Sequence, residues 1–144
     1  MKDLRINLAS KSRVSTVDFN NLPFGKIISD HMFEVDFDGK QWVNPRIGPV
    51  EKLEIHPMNM ALHYGQSIFE GMKASRSKDG TALLFRPELH ADRMNASARR
   101  MCMPEIPEEM FVEAIHALVS VDQEWIPKIQ GSALYIRALM FATD

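Results

Sequence analysis

A chain of 144 residues with 45% hydrophobic and 25% charged residues has the composition of a globular protein and suits one ordinary domain. Its net charge of −2 supplies no electrostatic reason to bind nucleic acid or an anionic membrane, and no run is long and apolar enough to span a bilayer. The single Cys102 excludes an internal disulfide, and the N-terminus lacks the apolar stretch of a secretory signal, so a cytoplasmic location is expected.

Residues 1–20 are polar and aperiodic and read as a loosely held arm; ordered structure is expected over residues 21–144, from about "LPFGK" onward. In "MFEVDFDGKQWV", Phe33, Val35 and Phe37 alternate with Glu34, Asp36 and Asp38, the period of a strand. Asp38-Gly39 suits a two-residue type I′ turn, whose central positions both need positive φ. That register would set Val35 opposite Trp42 on a buried face. The stretch "NPRIGPVEKLEIHPMNM" is broken by three prolines and reads as loop with one short strand. "IFEGMKASR" and "TALLFR" follow as two strands joined by the turn "SKDG".

Pro87 suits the first position of a helix running to about Met101, with Ala91, Met94, Ala98 and Met101 as its apolar stripe. A second helix opens at Pro107, with Glu108 and Glu109 at the positive end of its dipole. Phe111, Ile115, Leu118 and Trp125 line one face, and Pro127 closes it. A last strand covers residues 133–141. This order predicts an α+β fold: a mostly antiparallel sheet with two helices packed on one side.

The last strand carries the most informative charge. Leu134, Ile136, Ala138 and Met140 face one way and Ala133, Tyr135, Arg137, Leu139 and Phe141 the other, so both faces are largely apolar and the strand reads as central. Arg137 is then expected to be at least half buried, and a buried guanidinium needs an anion or several carbonyls beside it. An internal salt bridge and an anionic ligand both meet that need, with Tyr135 a second polar contact on the same face. On the first helix, Arg93 falls about 120° from the apolar stripe and Arg100 further, which reads as a solvated face.

Lys73 shares a strand face with Phe69 and Gly71. It is either a carbonyl-reactive nucleophile or, more commonly, a lysine whose stem packs while its ammonium reaches water. Gly71 marks a close ligand approach or a bulge. The histidines form no metal pair, and no Cys/His cluster, Gly-rich phosphate loop or nucleophile elbow occurs, so no metal is expected. Taken alone, the residues describe an α+β domain with an anion site.

Four segments carry a resemblance. "LHYGQSIFEGMKA", then "LFRPELHADRM", "DQEWIP" and "LYIR", closely resemble the N-terminal part of the branched-chain amino acid aminotransferases, enzymes of the fold-type IV pyridoxal phosphate class. The match runs from about "PFGKIISDHM" to the last residue. It implies the small N-terminal domain of such an enzyme, pyridoxal 5′-phosphate as cofactor, and Leu, Ile, Val and 2-oxo acids, above all 2-oxoglutarate, as substrates. The resemblance assigns Arg93 of the "DRM" motif to the cofactor phosphate, reversing the reading of a solvated charge; a guanidinium can give a phosphate two parallel hydrogen bonds. It assigns Tyr135 and Arg137 to the substrate side of the pocket. Phe24, Tyr64 and Phe69 become an aromatic wall for a branched side chain, with Gly71 among the substrate-binding residues. In the family the tyrosine at Tyr64 can reach the neighbouring subunit's site, which implies a homodimer.

By the same comparison Lys73 does not hold the cofactor. That lysine lies in a second, C-terminal domain expected beyond residue 144, so no catalytic residue is expected within the chain and the chain alone is expected to be inactive. Two other fold-type IV enzymes, a D-amino acid aminotransferase and an aminodeoxychorismate lyase, are alternatives that "HYGQSIFEGMKA" and "DQEWIP" disfavour. A stand-alone binding module without catalysis is the alternative of a different class.

Overall fold

Two three-stranded sheets form where one was expected. The computed structural model describes residues 1 and 3–143; Lys2 of the expected arm and Asp144 at the end of the expected domain lie outside them. In the first sheet, β2 (His31–Phe37) and β3 (Trp42–Pro49) are antiparallel, and the two-residue β1 (Arg5–Ile6) runs parallel to β3. In the second, β4 (Ser67–Arg76) lies between β5 (Ala82–Leu84) and β6 (Leu134–Phe141) and is antiparallel to both. Antiparallel pairing therefore dominates, as expected, but it is divided between two sheets.

The first hairpin departs from the expected register. Phe37 pairs with Trp42, so residues 38–41 make the turn in place of two. The Asp38 carboxylate accepts hydrogen bonds from the amides of Lys40 (2.9 Å) and Gln41 (2.8 Å), and Gly39 takes φ 90°. A side chain that satisfies two turn amides favours this longer loop over the tight one. Val35 consequently does not face Trp42. It lies at a register shift opposite Asn44 (φ 56°) and Pro45, where proline has no N–H to donate to the ladder. Beyond that irregularity β3 continues to Pro49, so the one strand expected in the proline-broken stretch lies at its start, as part of the hairpin. Arg46 ties it across to Asp36 (2.8 Å) and Glu34 (3.2 Å).

The described residues of the expected arm, 1 and 3–20, are held at several points rather than loose. β1 pairs with β3, the Ala9 amide donates to His31 Nε2 (2.9 Å), Arg13 Nε donates to Asp30 (3.1 Å), and the Met1 ammonium pairs with Glu113. A short helix, α1 (Met60–Tyr64), begins at the end of the proline-broken stretch and was not expected, although both its end signals are local. Asn59 caps it by accepting from Ala61 (2.8 Å) and Leu62 (3.3 Å), and Gly65 ends it at φ 65°.

The core lies between the β4 sheet and one longer helix, and a second helix packs on the first and against β2 rather than beside it on one sheet as expected. α2 (Pro87–Arg100) buries Ala91, Met94 and Ala98 against Ile68, Met72 and Ala74 of β4. The two alanines, with no exposed surface, let the helix approach the sheet closely. Met101 of the expected stripe is only half buried, just past the helix end. α3 (Glu108–Val121) adds Phe111, Ala114, Ile115 and Val119; Leu118 is half buried, and Trp125 sits on a separate 3-10 turn, Gln123–Trp125. The α-helix stops short of Pro127 at Asp122, whose buried carboxylate takes the His31 amide (3.1 Å) and Nδ1 (2.6 Å). Among the described residues no helix is long and apolar enough to cross a membrane.

Candidate functional site

Strand alternation sorts β4 into two sides. Ile68, Glu70, Met72 and Ala74 are buried, while Phe69, Gly71 and Lys73 face outward. Among the described residues β6 pairs only with β4, so it lies at the edge of this sheet and not at its centre as expected; its register sets Leu139, Arg137 and Tyr135 opposite Phe69, Gly71 and Lys73. Being at an edge, Arg137 is exposed rather than half buried. Among the described residues it forms no ion pair with a carboxylate, contrary to the salt bridge weighed for it. Its guanidinium instead lies 4.4 Å from the Phe69 ring centroid and 5.2 Å from that of Tyr135, where the π faces attract a cation.

Tyr135 leans over Gly71, and the edge of Phe24 meets its ring at 5.3 Å and 65°. Five of the six residues expected on the substrate side, Phe24, Phe69, Gly71, Tyr135 and Arg137, are thus gathered on the outer face of the β4–β6 pair. Tyr64 sits apart at the end of α1, three-quarters exposed, with His63 6.3 Å away as its ring neighbour. Lys73 projects outward and is exposed, as a lysine with its ammonium in water does.

Arg93 marks the inner edge of this face. Its Nε donates to Glu70 Oε2 (2.6 Å) and its Nη2 to Oε1 (2.5 Å), a bidentate contact. The Glu70 side chain is 4% exposed and that of Arg93 is 65% exposed. Glu70 also accepts from the Gly71 amide (2.6 Å), and His90 Nδ1 lies 3.2 Å from Oε1. The Arg93 guanidinium, helped by the Gly71 amide and His90, holds the Glu70 carboxyl down at about 2, against the opposing pull of burial. A shallow cavity of about 310 Å³, lined by Phe69, Glu70, Gly71, Arg93, Ser97 and Tyr135, joins the arginine to the aromatic group.

Neither Glu70 nor His90 was singled out from sequence. A signal existed: the alternation that buries Ile68 and Met72 also buries Glu70, and a carboxylate there needs a cation. A cofactor phosphate fits Arg93 in a restricted sense. Its side-on edge is taken by Glu70, while Nη1 has no partner among the described residues and the head group is largely exposed. One guanidinium edge is therefore available to an outer anion.

No protein-family model matches the chain. Curated relatives do. Branched-chain-amino-acid aminotransferase 2 of Bacillus subtilis is 44% identical over 142 residues, 98% of this chain and 39% of that protein. The mitochondrial branched-chain-amino-acid aminotransferase of Rattus norvegicus is 37% identical over 143 residues, 99% of this chain and 36% of that protein. Among solved structures, the branched-chain amino acid aminotransferase of Escherichia coli superposes with a TM-score of 0.51 at 30% identity, covering 63% of this chain and 28% of that one. The chain spans between a third and two-fifths of the length of these curated relatives.

Proposed function

We infer, from a chain that in sequence belongs with the branched-chain amino acid aminotransferases over the segment it spans, that it forms the N-terminal portion of such an enzyme. The reaction is transfer of the amino group of Leu, Ile or Val to 2-oxoglutarate through pyridoxal 5′-phosphate. Residues 21–144 make up the enzyme's small α+β domain, and the lysine that holds the cofactor belongs to a second domain. The enzyme is a cytoplasmic homodimer, with Tyr64 directed to the neighbouring subunit's site. The observation that carries this reading is the gathering of Phe24, Phe69, Tyr135 and Arg137 around Gly71, beside Arg93, in a chain so closely related to these enzymes.

Each side chain has a physical task. Arg93 offers its free edge to the cofactor phosphate, and the cofactor when bound supplies the electron sink for transfer. Phe24 and Phe69, with the Tyr64 contributed by the neighbouring subunit, shield the branched side chain from water, worth about 0.8 kcal/mol per buried methylene. The bare Gly71 leaves room for Tyr135 to lie close to the strand. Arg137, held over Phe69, presents a cation to a substrate carboxylate without a competing carboxylate of its own among the described residues.

Titration of the full-length apo-enzyme with pyridoxal phosphate, followed by absorbance, tests the assignment. Arg93→Ala is expected to weaken cofactor binding by about tenfold to a hundredfold, the worth of charge-assisted bonds of ~1.5–3 kcal/mol. Arg93→Lys restores only part, because an ammonium lacks the planar two-bond geometry. Arg100→Ala, on the same helix and away from the cavity, leaves the affinity unchanged. Equal affinities for wild type and Arg93→Ala would overturn the assignment.

A further inference from the structure

We propose that Glu70 is a positioning residue: it fixes the Arg93 guanidinium in the orientation that presents its free edge to an anionic group in the adjoining cavity. The inference rests on the reading of Arg93 as a phosphate contact, and it adds a residue to which neither sequence motif nor resemblance gave a role.

The geometry has three parts. First, Glu70 lies on the core side of β4 between Ile68 and Met72, where an unpaired carboxylate could not stay charged. Second, its oxygens are spent on Nε and Nη2 of Arg93 and the Gly71 amide, which border the cavity, and on His90 Nδ1 beside them. The Gly71 amide is free for this because β5 reaches only Ala74, Ser75 and Arg76 of β4. Third, Arg93 is a long side chain on an exposed helical face, with its side chain 65% exposed. Without a fixed partner such a side chain samples many rotamers, and a ligand that needs one of them meets an ordering cost. The bidentate contact removes that freedom in advance. Glu70 therefore links the cofactor-side arginine to the backbone of Gly71, the residue beneath Tyr135.

A purely structural counter-charge and a positioning residue predict opposite signs. If Glu70 only neutralised Arg93, replacing it by glutamine would free the guanidinium and leave phosphate binding equal or tighter. As a positioning residue, its loss weakens binding. The experiment is titration of full-length apo-enzyme with pyridoxal phosphate for wild type, Glu70→Gln, Arg93→Ala and the double variant, with the 31P resonance of the bound cofactor as a second readout. Glu70→Gln is expected to lower affinity by roughly tenfold, the size of one charge-assisted contact, and to shift the 31P line. In the Arg93→Ala background the same change has no further effect on affinity. Glu70→Asp, which keeps the charge but shortens the reach, shows a smaller loss in the same direction, and serves alone if the glutamine variant folds poorly. Unchanged or tighter binding in either Glu70 variant, with Arg93→Ala still weak, overturns the positioning role and spares the phosphate assignment. Normal binding by Arg93→Ala overturns both.

Discussion

The Tyr135 phenol rests on the α-carbon of Gly71: a β-carbon there would overlap its oxygen and come within 2.8 Å of Cζ. The ring must tilt outward to make room, displacing the exposed Phe24 and Arg137 that border it. Gly71→Ala is therefore expected to expel Tyr135 from this position at a cost of about 1 kcal/mol or less, below the range for an overpacked core because this face is open to solvent. Near-UV circular dichroism would report the displaced ring, and thermal unfolding the cost. Tyr135→Ala in the same chain should relieve most of the loss. An unaltered aromatic spectrum in Gly71→Ala would contradict the close approach.

Two buried carboxyls contribute to an acid-sensitive limb. Glu70 is held at about 2 by Arg93. For Asp30, burial pulls upward but hydrogen bonds from Ser12, Trp125 and Arg13 outweigh it and bring the group to about 2. Between about pH 4.5 and 2 the unfolded chain binds protons that the folded chain refuses, so stability falls as the pH falls through this window. Urea unfolding at intervals from pH 6 to pH 2 should show the decline, and Glu70→Gln should flatten part of it. A variant curve parallel to wild type throughout would show that Glu70 is not a source of the slope.

His31 holds the N-terminal arm through one tautomer. Its Nε2 accepts from the Ala9 amide, so the proton sits on Nδ1 and is donated to the buried Asp122. His31→Phe removes both contacts, with an expected cost of ~1–3 kcal/mol for the buried carboxylate left short of a donor. Hydrogen exchange of the Asn7 and Ala9 amides should accelerate well beyond that of β4. Unchanged protection of those amides would mean that the β1 pairing alone secures the arm.

The 144-residue chain by itself is expected not to transaminate leucine. Among the described residues no lysine lines the cavity: Lys73 lies on the same outer face, paired with Tyr135, but does not border it. Purified chain, free of host enzyme, incubated with leucine, 2-oxoglutarate and pyridoxal phosphate should form no glutamate above the reaction without protein. Sustained turnover would refute the division of labour between two domains.

Local signals carried far in this sequence. Alternation placed β4 and sorted its faces, Pro87 opened α2 where a proline is tolerated, and Ala91, Met94 and Ala98 marked its buried stripe. These features depend on residues within a few positions of one another, so period and capping chemistry express them directly. The resemblance carried by four short motifs agreed with the relatives found over nearly the whole chain.

What depended on distant partners was decided only in three dimensions. The Asp38 side chain chose a four-residue turn over a two-residue one, and Pro45 shifted the register behind it. The two apolar faces of β6 suggested a central strand, yet among the described residues it pairs only with β4 and leaves Arg137 exposed over Phe69. Arg93, solvated on a helical wheel, is gripped by a carboxylate 23 positions earlier. Periodicity reports which side of an element an atom leaves from, whereas a buried charge's partner is set by which strand and helix meet. That is why the sequence by itself determined β4, α2 and the apolar stripe of α2, while only the tertiary structure supplied the pairing of Glu70 with Arg93.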